Sequence, residues 1–85
     1  MKNIDIEFLD VKTRSYCEII ATFTNGDKRL FNLAKYIKDR PGFKKLLKDK
    51  DLFTNELCFG QYTIVWRSIG VAISEYEIWE NGEII

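Results

Sequence analysis

Residues 16–24, Tyr-Cys-Glu-Ile-Ile-Ala-Thr-Phe-Thr, run directly into Asn25-Gly26, and this junction constrains the fold more than any other part of the chain. Cys17, Ile19, Ala21 and Phe23 alternate with Tyr16, Glu18, Ile20, Thr22 and Thr24. A period of two places the first set on one face of a β-strand and the second on the other. The β-branched and aromatic residues in it suit a pleated, half-buried surface. Asn-Gly tolerates the positive φ that a type I′ turn needs at both central residues, and that turn has the twist of the strands it joins. The spacing therefore predicts a hairpin from 16–24 into 28–33.

The flanking segments follow the same two periods. Ile4, Ile6 and Phe8 alternate with Asp5 and Glu7, which predicts a strand over 4–11, with the polar stretch 12–15 as a turn. At Asn32 the period changes to that of a helix. Asn32 is a suitable N-cap, and Leu33, Tyr36 and Ile37 have helical spacing. Arg40 precedes Pro41 and is pushed away from helical dihedrals, while Pro41 suits the first turn of a new helix. Phe43, Leu46 and Leu47 repeat the spacing, with Lys44, Lys45 and Lys48 on the remaining face. The expectation is two short helices with a break near Arg40, then an irregular turn at 51–53 that buries Leu52 and Phe53.

Strand character returns at 55–59, with Leu57 and Phe59 on one face. Gly60-Gln61 has the form of a tight II′ turn. Tyr62, Ile64 and Trp66 then alternate with Thr63, Val65 and Arg67, a second hairpin. A turn at 68–70 leads to a short edge strand at 71–73. Ser74 with Glu77 fits a capping box, which predicts a helix through about Trp79, stopped by Asn81-Gly82. The competing reading is a hairpin over 77–85 about Asn81-Gly82. The expected class is α+β in a single domain, residues 1–85. It has a mainly antiparallel sheet of two hairpins plus a short edge strand, two short central helices and a C-terminal helix.

Composition narrows the chemistry. The chain has 85 residues and contains no His. The commonest general acid–base group is therefore missing, and neither a Ser-His-Asp triad nor a Cys-His pair can form. Cys17 and Cys58 lie far apart without the spacing of a zinc site, so both are read as small buried hydrophobes in strand-like segments. No glycine spacing matches a phosphate loop. No catalytic residue, cofactor or metal is expected. The chain has no apolar run long enough to span a membrane and no signal-peptide pattern at its start, so a cytoplasmic location is expected.

Net charge is zero, yet the charge is unevenly placed. Residues 25–50 carry nine Lys/Arg against three Asp/Glu, and residues 51–85 carry one against six. The basic cluster includes Lys38, Arg40, Lys44, Lys45 and Lys48. Clustered cations can contact phosphates, but a domain that binds nucleic acid alone is normally basic overall, so nucleic acid is disfavoured as a partner. The acidic residues Glu75, Glu77, Glu80 and Glu83 read as a solvated helix face. Tyr76 and Trp79, with Ile84 and Ile85, form a candidate apolar edge. Trp66 is expected in the core. The alternative places Trp66 and Arg67 at the mouth of a small-ligand pocket.

The order of motifs resembles a known family. Phe23-Thr24-Asn25-Gly26-Asp27 follows the pattern Phe-x-(Asp/Asn)-Gly-(Glu/Asp). It is followed by Leu30-Phe31-Asn32-Leu33, Phe43-x-x-Leu46, Leu52-Phe53, Ile64-Val65-Trp66 and Ile73-Ser74-x-x-x-Ile78-Trp79. Together these look like the small bacterial proteins called domain of unknown function 2442, over residues 4–83. Ala72 stands near a position where members often carry Asp, and Ile78-Trp79 where they often carry Leu-Tyr. The family has no established activity. Some members are encoded beside a toxin-like partner, so the resemblance implies an antitoxin-like or partner-binding role. The resulting expectation is a non-enzymatic protein-interaction module. Its partner would be another protein, such as a toxin, and uneven charge would also permit a homo-oligomer. The expected partner-binding residues are Lys38, Arg40, Lys44, Lys45, Lys48, Tyr76 and Trp79.

Overall fold

In the computed structural model the alternation over 16–24 does what its period demands: Ile19, Ala21 and Phe23 are fully buried, and Ile20 and Thr22 are only half-buried. The structure describes residues 6–37 and 40–85, and the expected start of the first strand at Ile4 and Asp5 lies outside them. The class is α+β. Strands β1 (Phe8–Ser15), β2 (Glu18–Phe23) and β3 (Lys28–Asn32) lead into helix α1 (Leu33–Tyr36). Then come α2 (Lys50–Asn55), β4 (Leu57–Phe59), β5 (Thr63–Trp66), β6 (Val71–Ser74), α3 (Glu75–Asn81) and β7 (Glu83–Ile84). Every pairing is antiparallel. The strands form two sheets, β1-β2-β3-β7 and β4-β5-β6, so the two predicted hairpins stand in different sheets.

Several local expectations need correction. Residues 12–15 continue β1 as an edge strand with register shifts at both ends, and the turn falls on Tyr16-Cys17. Cys17 has φ +69°, the left-handed region that a residue with a Cβ seldom occupies. At the next turn Gly26 has φ +94° but Asn25 does not have positive φ, so the turn is not type I′. Gly26 N–H donates to Phe23 O and Phe23 N–H to Asp27 O, the three-residue hairpin loop with a glycine bulge. The β4–β5 loop is centred on Gln61-Tyr62 rather than Gly60-Gln61, because Phe59 pairs with Ile64.

The central region differs most. Asn32 caps α1 as expected, its Oδ1 accepting from Lys35 N–H at 3.1 Å. The second expected helix is absent over 41–48, where turns follow one another and Leu47 N–H reaches Phe43 O. Gly42, at φ +90°, breaks helical continuation directly after Pro41. The helix forms later: Asp49 Oδ1 accepts from Leu52 N–H at 3.0 Å, and α2 starts at Lys50 where an irregular turn was expected. Phe43, Leu46 and Phe53 are nonetheless buried.

At the C-terminal end Ser74 Oγ accepts from Glu77 N–H at 3.2 Å, and the helical reading holds. Gly82 does not take the left-handed conformation expected of a helix stop; its φ is −73°. Glycine is needed there for space, since a Cβ would sit 2.6 Å from Ile78 O and 2.9 Å from Arg29 Cβ. That close approach lays Glu83 and Ile84 along β3 as a seventh strand.

One core joins the two sheets and the helices. Trp66 is fully buried, stacks on Phe53 with ring centroids 6.1 Å apart, and donates its indole N–H to Phe53 O at 3.1 Å. That carbonyl belongs to the last turn of α2, where no intrahelical donor remains. The core reading of Trp66 is thereby met. The β4–β5 loop is held from two sides. Gln61 O accepts from Phe8 N–H at 2.8 Å, and Tyr62 O accepts from Glu75 N–H at 2.7 Å.

Candidate functional site

The basic segment is anchored on the acidic helix. Arg40 donates from both terminal nitrogens to the Glu77 carboxylate, at 3.0 and 2.5 Å, and its guanidinium lies 5.8 Å from the Phe43 ring centroid. The Glu77 hydrogen bond holds the Arg40 pKa above its ordinary value. This cation therefore closes a loop within the chain, and one of the expected partner-binding charges is matched internally. Gly42 sits against Val71, where a Cβ would approach Cγ1 to 2.8 Å, which presses the 41–48 turns onto β6. Phe43 and Leu46 point inward from these turns, leaving Lys44, Lys45 and Lys48 exposed. Among the described residues those three lysines have no ion-pair partner. Lys38 lies outside the described residues.

The C-terminal residues divide into two groups. Trp79 is half-buried and belongs with the core: its ring meets Phe23 edge-on at 5.2 Å, and the Arg29 guanidinium lies over it at 4.1 Å. Arg29 is itself buried, with its Nε donating to Trp79 O at 3.4 Å. Trp79 is thus a packing residue with only part of its surface outside. Tyr76 is exposed on the outer face of α3. Ile84 is 79% and Ile85 55% exposed, on or beside the two-residue strand at one edge of the larger sheet. Leu9, at 62% exposure on the opposite edge strand, shares the outward parity of Glu7. The register shift between Phe8 and Asp10 changes the parity after it, so that Val11 rather than Asp10 returns to the core.

The residues of the ligand reading flank a real depression. Val65, Trp66, Arg67, Gly70, Val71 and Ala72 line a cleft of about 420 Å³ on the β5–β6 hairpin. Trp66 borders it without reaching its surface: it has no exposed area and its N–H is engaged with Phe53 O. Arg67 is exposed at the cleft.

The cysteines are placed differently from each other. Cys17 is buried and Cys58 is exposed on β4, which corrects the reading of both as buried. Burial pushes the Cys17 thiol up, and a hydrogen bond with Tyr16 offsets this in part. A thiol held protonated is a poor nucleophile. Among the described residues, no three His, Cys, Asp or Glu side chains gather to hold a metal ion. No described helix is long and apolar enough to cross a membrane. No protein-family model matches the chain, and neither a curated protein nor a solved structure does.

Proposed function

We propose that this chain is a non-enzymatic protein-interaction module, an antitoxin-like component or partner-binding regulator acting in the cytoplasm. One observation carries the reading. Two β-branched aliphatic residues, Ile84 and Ile85, stand mostly in water at an open sheet edge. Edge strands left apolar are templates for another chain. Covering each isoleucine gives about 1.5–3 kcal/mol, a useful share of a micromolar affinity near −8 kcal/mol. The exposed Lys44, Lys45 and Lys48 supply the charge that steers an acidic partner and sets its association rate. The resemblance of residues 4–83 to domain of unknown function 2442 supports the antitoxin-like form, in which the partner is a toxin.

The test is capture with the tagged chain from a lysate of its native cell, beside an Ile84→Asp/Ile85→Asp variant and a Lys44→Glu/Lys45→Glu/Lys48→Glu variant. A single protein is expected to co-elute stoichiometrically with the wild type. It should be lost with the isoleucine variant and bound more weakly, in a salt-dependent way, by the lysine variant. Equal capture by all three refutes the surface assignment. A purified chain that turns over a substrate refutes the non-enzymatic role.

A further inference from the structure

Strands β4, β5 and β6 read Leu-Cys-Phe, Thr-Ile-Val-Trp and Val-Ala-Ile-Ser, with no charged residue in any of them. One face of this sheet belongs to the core, where Ile64, Trp66, Val71 and Ile73 are buried. The register sets Cys58 opposite Val65 and Val65 opposite Ala72. A row of small, uncharged side chains therefore crosses the outward face. An antiparallel sheet with one face in water normally alternates to polar residues there. The cleft of about 420 Å³ lies on this hairpin, and its one charged lining residue is Arg67. Among the described residues Arg67 has no ion-pair partner.

Size decides what kind of occupant fits. Three short strands present a face on the order of 10 Å on a side. That is far below the roughly 800 Å² per partner of a stable protein interface. The cleft volume instead falls within the range of about 300–1,000 Å³ typical of small-molecule sites. Its outward wall is made by Val65 and Ala72, while Val71 borders it from the core face, where its methyl lies against Gly42, and its rim carries one guanidinium. A planar guanidinium pairs with a carboxylate through two parallel N–H donors. The buried Trp66 offers neither a ring face nor a donor, so aromatic stacking plays no part in selection.

We propose that this cleft binds small aliphatic monocarboxylates, with the apolar chain on Val65 and Ala72 and the carboxylate on Arg67. The site is separate from the β7 edge and does not depend on the proposed interaction role.

The test is an amide-shift NMR titration of the labelled chain at neutral pH and fixed ionic strength. The probes are sodium hexanoate, 1-hexanol and hexylammonium chloride. Hexanoate should give saturable shifts confined to 65–67 and 70–72, with affinity in the millimolar range expected of a fragment. Hexanol should bind about tenfold more weakly, and hexylammonium more weakly still. Arg67→Met keeps the apolar stem and should bring hexanoate down to the level of hexanol. Ala72→Ile adds a β-branched side chain at an exposed strand position, which the fold tolerates. It should abolish both, with the spectrum elsewhere unchanged. Shifts scattered over the chain, no saturation at tens of millimolar, preserved preference for hexanoate in Arg67→Met, or unchanged binding in Ala72→Ile would each overturn the proposal.

Discussion

Replacing Trp66 with Phe isolates one hydrogen bond inside the core. The indole N–H of Trp66 reaches Phe53 O at 3.1 Å, in a region with no access to water. A phenyl ring keeps the stack on Phe53 but removes the donor, leaving a helix-terminal carbonyl buried without it. An unsatisfied buried acceptor costs about 1–3 kcal/mol. The lost volume of about 35 Å³ adds roughly 0.8 kcal/mol at about 24 cal/mol per Å³. The expected destabilisation is about 2–4 kcal/mol. A chain of this size has a total stability of roughly 4–13 kcal/mol. The midpoint of thermal unfolding should therefore fall by on the order of 15 °C. The control is Trp79→Phe. Trp79 is half-buried, and a phenyl ring keeps its contacts with Phe23 and Arg29, so this change should cost about 1 kcal/mol or less. Urea denaturation followed by far-ultraviolet circular dichroism measures both. Equal costs for the two substitutions would show that the Trp66 hydrogen bond contributes nothing beyond ring volume.

Other substitutions separate further causes. Gly82→Ala should cost about 1–3 kcal/mol by overpacking against Ile78 O, and Asn should do no better there. Gly26→Ala should cost about 1–2 kcal/mol through backbone conformation alone, and Gly26→Asn should recover most of it in urea titrations, because nothing lies near that position. A double-mutant cycle on Arg40→Met and Glu77→Gln should give a coupling on the order of 1 kcal/mol that shrinks in high salt, since the Arg40 side chain is 43% exposed. A thiol reagent should modify Cys58 quickly and Cys17 only when the chain unfolds. Cys17 has a raised folded pKa, so its contribution is complete below the unfolded value near ~8.5 and is lost as pH rises through the folded one. Stability should decline through that range in denaturation curves, and Cys17→Ala should flatten the decline.

The elements that could be read from sequence are those fixed by neighbours in the chain. The inward face of β2, the Asn32 and Ser74 caps, and the short strand after Gly70 each follow from a local pattern. The 41–48 segment departs from its pattern because Phe43 and Leu46 are buried and Leu47 half-buried at helical spacing without a helix to carry them. Gly42 takes a left-handed conformation one residue after Pro41, and the capping signal that counts is Asp49, eight residues later. Segment 12–15 looked like a turn because its residues are polar, yet charged side chains are what protect an edge strand from pairing with another chain. Strand β7 depends on contact between Gly82 and β3, across some fifty residues of sequence, which no local pattern encodes. The same holds for the site. The sequence offers Ile84 and Ile85 as an apolar edge beside Tyr76 and Trp79, and both isoleucines are exposed. The Arg40–Glu77 pair, which cancels charge from each half of the chain, needed the folded geometry.

The clasp on the Gln61-Tyr62 loop bears on how the molecule comes apart. The two carbonyls are taken by Phe8, where the first strand opens, and by Glu75, where the last helix opens. Positions at the beginnings of elements ordinarily fray and exchange their amide protons early. Here each is moored to the same two-residue hub, so peeling from the front or from the rear disturbs a common anchor. Unravelling either terminus piecemeal is thereby discouraged, and the two sheets are made to melt as one body.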